Sequence, residues 1–251
     1  MRSSLSVILL FVGNWCFGQP NAISSGIYVW KASKAPHEQV LSGSTAFLEP
    51  LQVSIETMKP GERQTPTKEM SNVEELLIVK EGTLTINGWK GKDKSIGPGS
   101  VVFLMPNDKF SHENRGSGPL VFYRLRYSAK SGVDVDRGKS NGGSFILDWN
   151  ELPFKTTDVG GRRDYFNKPT ATTSRFEMHV TTLNAGLPSH APHKHAEEEI
   201  ILLIKGNATM MVENQEYPMS PGDFVFAASN DFHGIRNTGK IQCEYFAFQW
   251  K

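Results

Sequence analysis

The feature that most narrows what this chain can fold into is that it repeats itself. The run Glu75 to Gly82 (E-L-L-I-V-K-E-G) and the run Glu199 to Gly206 (E-I-I-L-L-I-K-G) each place six residues between a glutamate and a glycine. Further on, Gly99-Ser100-Val101-Val102-Phe103 answers Gly222-Asp223-Phe224-Val225-Phe226, and Asn107-Asp108 answers Asn230-Asp231. After a two-residue insertion in the first copy, His112, Arg115 and Gly118 fall opposite His233, Arg236 and Gly239. Agreement at so many ordered positions means one structural unit built twice.

Each copy reads as short strands: an apolar run, a glycine break, a run ending in a Pro-Gly turn (Gly97-Pro98-Gly99; Pro221-Gly222) and a final aromatic run (Leu120 to Tyr127; Ile241 to Trp250). No long stretch of 3.6-residue period interrupts them. The expected fold is therefore all-β, two tandem antiparallel barrels or jelly rolls, each holding side chains or one small ligand inside. The polar segment Ser128 to Gly143, rich in Gly, Ser, Lys and Asp, reads as the linker. The division is residues 1–18 as a leader, 19–135 as the N-terminal unit and 136–251 as the C-terminal unit.

The leader follows from Arg2, an apolar stretch from Leu5 to Val12 too short to span a bilayer, and small residues Cys16 and Gly18 before Gln19. It predicts a signal peptide cut near Gly18-Gln19 and a secreted or periplasmic protein without stable membrane insertion. Its removal takes away Arg2 and Cys16, leaving 26 basic and 26 acidic residues and the single Cys243. A balanced charge gives no field for nucleic acid, and one cysteine permits no internal disulfide. Cys243, within a strand-like run, reads as a small buried hydrophobe.

The chemistry concentrates in the second copy, where Gly186 precedes His193-Lys194-His195, then Glu199, then Gly206, with His233 and Asn237 further on. Alternation along an extended chain points His193 and His195 to one face. Glu199 arrives from the start of the next strand and His233 from a hairpin partner. Three imidazoles and one carboxylate suit one divalent transition metal, Mn or Fe first and Zn or Ni next, and leave positions open on a five- or six-coordinate ion. In the first copy, the places of His193 and His195 hold Glu69 and Ser71, so only Glu75 and His112 remain of the four. That copy reads as metal-poor, with a weak site from Glu69, Glu75 and His112 as the alternative.

These residues resemble the two motifs of the cupin superfamily, G(X)5HXH(X)3,4E(X)6G and G(X)5PXG(X)2H(X)3N. Here one extra residue separates Gly186 from His193, and Ala228 and Asn230 stand at the Pro and Gly places of the second motif. The resemblance implies a β-barrel with three His and one Glu around Mn, Fe, Ni, Zn or Cu. The layout of a metal-poor copy followed by a metal-bearing copy, with F-E-M-H-V at Phe176 to Val180, is similar to the (S)-ureidoglycine aminohydrolase group, whose metal motif uses a different ligand set.

Around the ligands, His190 lies three residues before His193 on the approach to the metal, as an acid or base or as a plain loop residue. Glu177 and His179 alternate on one strand and share a face, either inward toward substrate or on a solvated edge. Arg236 suits a bidentate clamp on a substrate carboxylate, or a structural salt bridge shared with Arg115. Arg162 and Arg163 read as charges on a loop at the barrel mouth.

Two kinds of function fit. One is an exported metal-dependent enzyme acting on a small polar carboxylate- or carbonyl-bearing molecule by hydrolase, isomerase or lyase chemistry, with His190 or Glu177 moving a proton and His179 and Arg236 contacting substrate. The other is a non-catalytic metal-dependent sugar- or uronate-binding protein, with an Fe-dependent dioxygenase as a further enzyme alternative. The partner expected in either case is a small molecule, and a homo-oligomer is compatible with both.

Overall fold

In the run Glu74–Glu81 six consecutive residues are buried, which a strand achieves only when both of its faces are covered. Leu76 and Ile78 point into a core shared between the two units, while Leu77 and Val79 point into the interior of the first barrel. The second copy repeats this in Glu198–Lys205: Ile200 and Leu202 join the shared core, and Ile201 and Leu203 fill the second barrel. The computed structural model describes residues 21–29, 35–65 and 72–251. Three apolar cores thus hold the described chain together, with full burial of each Leu, Ile or Phe contributing about 1.5–3 kcal/mol.

The first barrel combines a six-stranded sheet, in spatial order Phe145–Leu147, Val101–Leu104, Glu74–Glu81, Leu120–Ala129, Leu48–Met58 and His37–Gly43, with a four-stranded one. The second combines a seven-stranded sheet, in order Gly26–Tyr28, Phe224–Ala227, Glu198–Lys205, Cys243–Trp250, Phe176–Leu183, Gly160–Lys168 and Lys155–Thr157, with the three strands Gln215–Met219, Ala208–Val212 and His233–Asn237. All the strand pairs are antiparallel, as the repeat predicted. The repeated glycines Gly82 and Gly206 have φ of 82° and 74°, and a Cβ there would meet Pro119 O at 2.5 Å and Gln242 O at 2.8 Å. Only glycine fits such a turn pressed against a neighbouring strand.

Two strands cross the division at 135/136. Gly26–Tyr28 pairs with Phe224–Phe226 of the second barrel, and Phe145–Leu147 pairs with Val101–Phe103 of the first. Buried glutamates add a reciprocal clasp. Glu198 of the second barrel accepts from Thr45 Oγ1 at 2.5 Å and Ala46 N at 2.6 Å, in the loop leading into the first barrel's strand Leu48–Met58. Glu74 of the first accepts from Thr172 Oγ1 at 2.5 Å and Ala171 N at 2.7 Å, in the loop leading into Phe176–Leu183. Burial raises the Glu74 carboxyl above its ordinary value, against the pull of the Thr172 and Thr170 hydroxyls.

The segment expected as a linker is docked structure. Ser128 and Ala129 still belong to a strand, and Val135–Ser140 is a short helix capped by Asp134, which accepts from Arg137 N at 2.9 Å. Gly138 lies so close to Met105 and Ala171 that a Cβ would stand 2.8 and 2.9 Å from their side chains. Residues that look flexible by composition here serve as a cap and a close approach. Cys243 is fully buried in the second barrel, as expected. Residues 1–18 lie outside the described residues, and among those described no helix is long and apolar enough to cross a membrane.

Candidate metal centre

His193, His195 and His233 each bring a ring nitrogen to one place, the three atoms lying within 4.8 Å of one another. The expected alternation is realised differently from a full strand. His193 forms an isolated bridge to His233, with His193 N to His233 O at 2.9 Å and His233 N to His193 O at 2.8 Å. His195 is fixed two residues later, where Asn230 N donates to its carbonyl at 2.8 Å. Glu199, the second residue of Glu198–Lys205, completes the set: its Oε2 stands 2.9 Å from His233 Nε2 and 3.8 Å from His195 Nε2. The four predicted ligands therefore converge from two separated segments.

The donor chemistry fits a metal. His195 Nδ1 lies 3.0 Å from Glu197 O and His233 Nδ1 lies 2.8 Å from Asp231 O. Carbonyls only accept, so in each neutral ring Nδ1 carries the proton and Nε2 keeps its lone pair toward the other ligands. His193 Nδ1 is buried without a hydrogen-bond partner, a cost that a bound cation would relieve. Burial favours neutrality of His233, but contact with Glu199 outweighs it and raises the imidazole above its ordinary value of 6.5. Burial together with the neighbouring His190, His233 and His195 lowers His193. Burial would raise Glu199, yet its contacts with His195 and His233 hold the carboxyl far below the usual range.

A cavity of about 320 Å³ opens beside these ligands, lined among others by Arg162, Glu177, His179, His190, Tyr245 and Gln249. Glu177 and His179 face this cavity, so the inward alternative holds. Glu177 is a fixed anion. His179 Nδ1 lies 3.3 Å from it, Arg162 donates to it at 2.8 Å, and Arg175 also contacts it. These partners, His179 foremost, overcome burial and hold its pKa down to about 2, which suits orienting a neighbour more than carrying a proton. His190 is exposed at the rim, its ring edge-on to His193 with centroids 4.4 Å apart.

Arg236 is not brought to the cavity. Three residues on from His233 it takes the opposite face of the strand, stays exposed, and donates through Nε to Gly186 O at 3.2 Å over a separate outer depression. The salt bridge shared with Arg115 is not found either. Arg115 pairs with Asp93 at 2.7 Å and Glu113 at 3.2 Å, and Gly234 stands where the second copy would need that glutamate. Arg162 and Arg163, expected on a loop, lie in the strand Gly160–Lys168, where Arg163 stacks on Trp149 and Phe154 at 4.3 and 4.8 Å.

Sequence reasoning missed Gln249, whose amide donates to Glu199 Oε1 at 3.1 Å and lies 3.5 Å from His195 Nε2. The available signal was a glutamine closing the inward-facing series Cys243, Tyr245, Ala247.

In the first barrel an arginine fills the space between Glu75 and His112. Arg124 Nη1 donates to Glu75 at 3.2 Å, and its Nη2 lies 2.7 Å from Gln64 Oε1 and 3.1 Å from His112 Nε2. Burial, reinforced by Arg124, lowers His112 to about 4. Glu69 and Ser71 lie outside the described residues.

Strand topology and the clustered imidazoles together define a two-barrel fold with a candidate metal centre in its second barrel. A cupin-domain family model matches residues 54–125 and 179–248, more than half of the sequence, and the chain belongs to that family. Its two matched segments make it a bicupin. Among solved structures it is similar to AerE from Microcystis aeruginosa, with a TM-score of 0.65 at 14% identity over 88% of this chain and 95% of that one. An oxalate decarboxylase from Lactobacillus farciminis aligns with a TM-score of 0.60 at 14% identity, over 80% of this chain and 76% of the other. A salicylate 1,2-dioxygenase from Pseudaminobacter salicylatoxidans aligns with a TM-score of 0.54 at 14% identity, over 79% and 70%. At such identity these likenesses establish the fold. No curated protein matched the sequence.

Proposed function

We propose that this bicupin is an exported metal-dependent enzyme whose second barrel holds one Mn or Fe ion on His193, His195, Glu199 and His233 and acts on a small carboxylate- or carbonyl-bearing molecule. The observation that carries the reading is the convergence of three ring nitrogens within 4.8 Å, with the buried His193 Nδ1 lacking a partner, beside a cavity lined by further ionisable groups. A bound divalent metal supplies Lewis-acid polarisation of an oxygen or a lowered pKa for water. Around it, the Gln249 amide is placed to donate to an oxygen entering between Glu199 and His195. Glu177, locked by Arg162 and Arg175, orients His179, and His179 and His190 are the groups positioned to give or take a proton.

The cavity of about 320 Å³ is of a size to admit a small molecule. Both oxalate decarboxylase and salicylate dioxygenase, among the similar folds, are named for carboxylate substrates. Export rests on the sequence of residues 1–18, and mass spectrometry of the secreted product should find Gln19 at its N-terminus. The test of the reading is turnover: metal-loaded protein incubated with small keto, hydroxy and dicarboxylic acids should consume at least one, and the His193→Ala/His195→Ala variant none. Saturable binding without turnover would instead favour the sugar- or uronate-binding alternative, and oxygen consumption the dioxygenase.

A further inference from the structure

The loop 228–231 sets the geometry of two of the four ligands. Asp231 O accepts from His233 Nδ1 at 2.8 Å, and Asn230 N donates to His195 O at 2.8 Å. Ser229 Oγ donates to Ala196 O at 2.7 Å, one residue beyond His195. His233 thus takes the orientation of its ring from this loop, and His195 the position of its backbone.

The loop lacks the residues that would stiffen it by themselves. At the Pro and Gly places of the second motif, Ala228 keeps an N–H that proline would not have, and Asn230 takes a φ of 66°, a left-handed conformation that glycine adopts more freely. What holds the loop comes from the other end of the sequence. Ser25, just before the exchanged strand Gly26–Tyr28, donates from Oγ to Asp231 Oδ2 at 2.5 Å and accepts from Ala228 N at 2.9 Å. One hydroxyl therefore ties both ends of a turn that Asp231 N closes onto Ala228 O at 3.1 Å.

The first barrel contains the same clamp. Ser144, just before the exchanged strand Phe145–Leu147, donates to Asp108 Oδ2 at 2.5 Å and accepts from Met105 N at 2.8 Å, and Asn107 takes a φ of 71°. There the two-residue insertion between Asp108 and His112 sets the histidine apart, and His112 Nε2 meets Gln64 and Arg124. The clamp is a device of the fold in both copies, and in the second it bears on metal ligands.

We propose that Ser25 is a positioning residue for the metal centre, acting through Ala228 and Asp231 on His195 and His233; the inference rests on the reading of those histidines as ligands. A hydroxyl is required because it accepts from the N–H and donates to the carboxylate at once. The probe is manganese(II), its affinity measured on the full chain by chelator competition, with the Tm of the metal-free protein read alongside. Ser25→Ala weakens manganese about tenfold or more, the range for lost partners of metal ligands, and Ser25→Thr, which keeps the hydroxyl, restores it. Ser144→Ala removes the matching clamp from the first barrel, so it lowers the metal-free Tm about as much as Ser25→Ala does and leaves manganese affinity unchanged. The proposal is overturned if wild type and Ser25→Ala bind one manganese equally tightly, or if Ser144→Ala weakens manganese as much as Ser25→Ala, which would make the effect a general loss of stability. A wild-type protein that takes up neither manganese(II) nor iron(II) refutes the metal centre itself, and the role of Ser25 with it.

Discussion

Arg124 of the first barrel and Ala247 of the second occupy the same register position, opposite Leu77 and Ile201, each two residues on from the buried glutamates Glu75 and Glu199. Beside the methyl group of Ala247 the second barrel has room for an ion among its imidazoles. In the first barrel the Arg124 guanidinium takes that room and satisfies Glu75 and His112 with its own positive charge. One copy thus answers a buried carboxylate with a fixed internal cation, the other with three clustered imidazoles that could hold an exchangeable one.

This relationship makes Arg124→Ala costly. The change strands Glu75 beside His112 in a buried setting, with Arg126 at 2.8 Å as the remaining cationic contact to that carboxylate. Removing one partner of a buried ion pair costs about 3–5 kcal/mol. Chemical denaturation should show a loss of that size, and the variant should still bind one metal per chain, since Glu75 and His112 alone make too small a ligand set. A stability change within 1 kcal/mol would mean that Arg124 does not hold the first barrel together.

Metal content should be one ion per chain by elemental analysis, falling to none in His193→Ala/His195→Ala. Two tightly held ions, or stoichiometric metal in that variant, would move the site elsewhere.

The pH dependence follows from His233 and Glu199. His233 is raised above 6.5 in the metal-free fold, so its pairing with Glu199 stabilises that form fully below 6.5 and is lost as pH rises through the raised value. Glu199 is depressed, so its contribution is present above the ordinary carboxyl value and is lost only in strong acid. A metal needs His233 neutral. Affinity measured by chelator competition should therefore begin to fall at a pH above 6.5 on acidification, while the metal-free protein is more stable at pH 6 than at pH 8. Affinity flat from pH 8 to pH 6 would contradict His233 as a ligand.

What the sequence made legible was whatever depends on spacing. Glycines that must turn against a neighbour recur in both copies, and so do the glutamates of the paired strands, so the fold and the convergence of His193, His195, Glu199 and His233 could be read from order alone. The Arg124 guanidinium was hidden because its role arises between strands, where alternation gives a facing direction but not the partner across the barrel. Gln249 was hidden for the same reason. Arg236 misled because it keeps the register of His233 in the copy comparison while its odd offset turns it outward. The strand exchange by Gly26–Tyr28 and Phe145–Leu147 was invisible, since three-residue strands carry too little pattern to announce which sheet they join.

The sharpest test of where chemistry occurs separates the groups lining the cavity beside His233 and Glu199 from the ligands themselves. Glu177 touches His179, Arg162 and Arg175 and none of the four ligands among its hydrogen bonds and ion pairs. Glu177→Gln keeps the shape and removes the charge that orients His179, and His190→Ala removes an exposed ring at the rim, so both variants should fold and hold one metal. Turnover, or affinity for a small carboxylate such as oxalate measured on metal-loaded protein, should fall tenfold or more in each, a loss on the order of 1.4 kcal/mol. His112→Gln in the first barrel, at matched stability, should leave both readouts unchanged. If the first-barrel change abolishes activity in a folded, metal-replete protein while the second-barrel changes do nothing, the reaction does not take place beside His193 and His233.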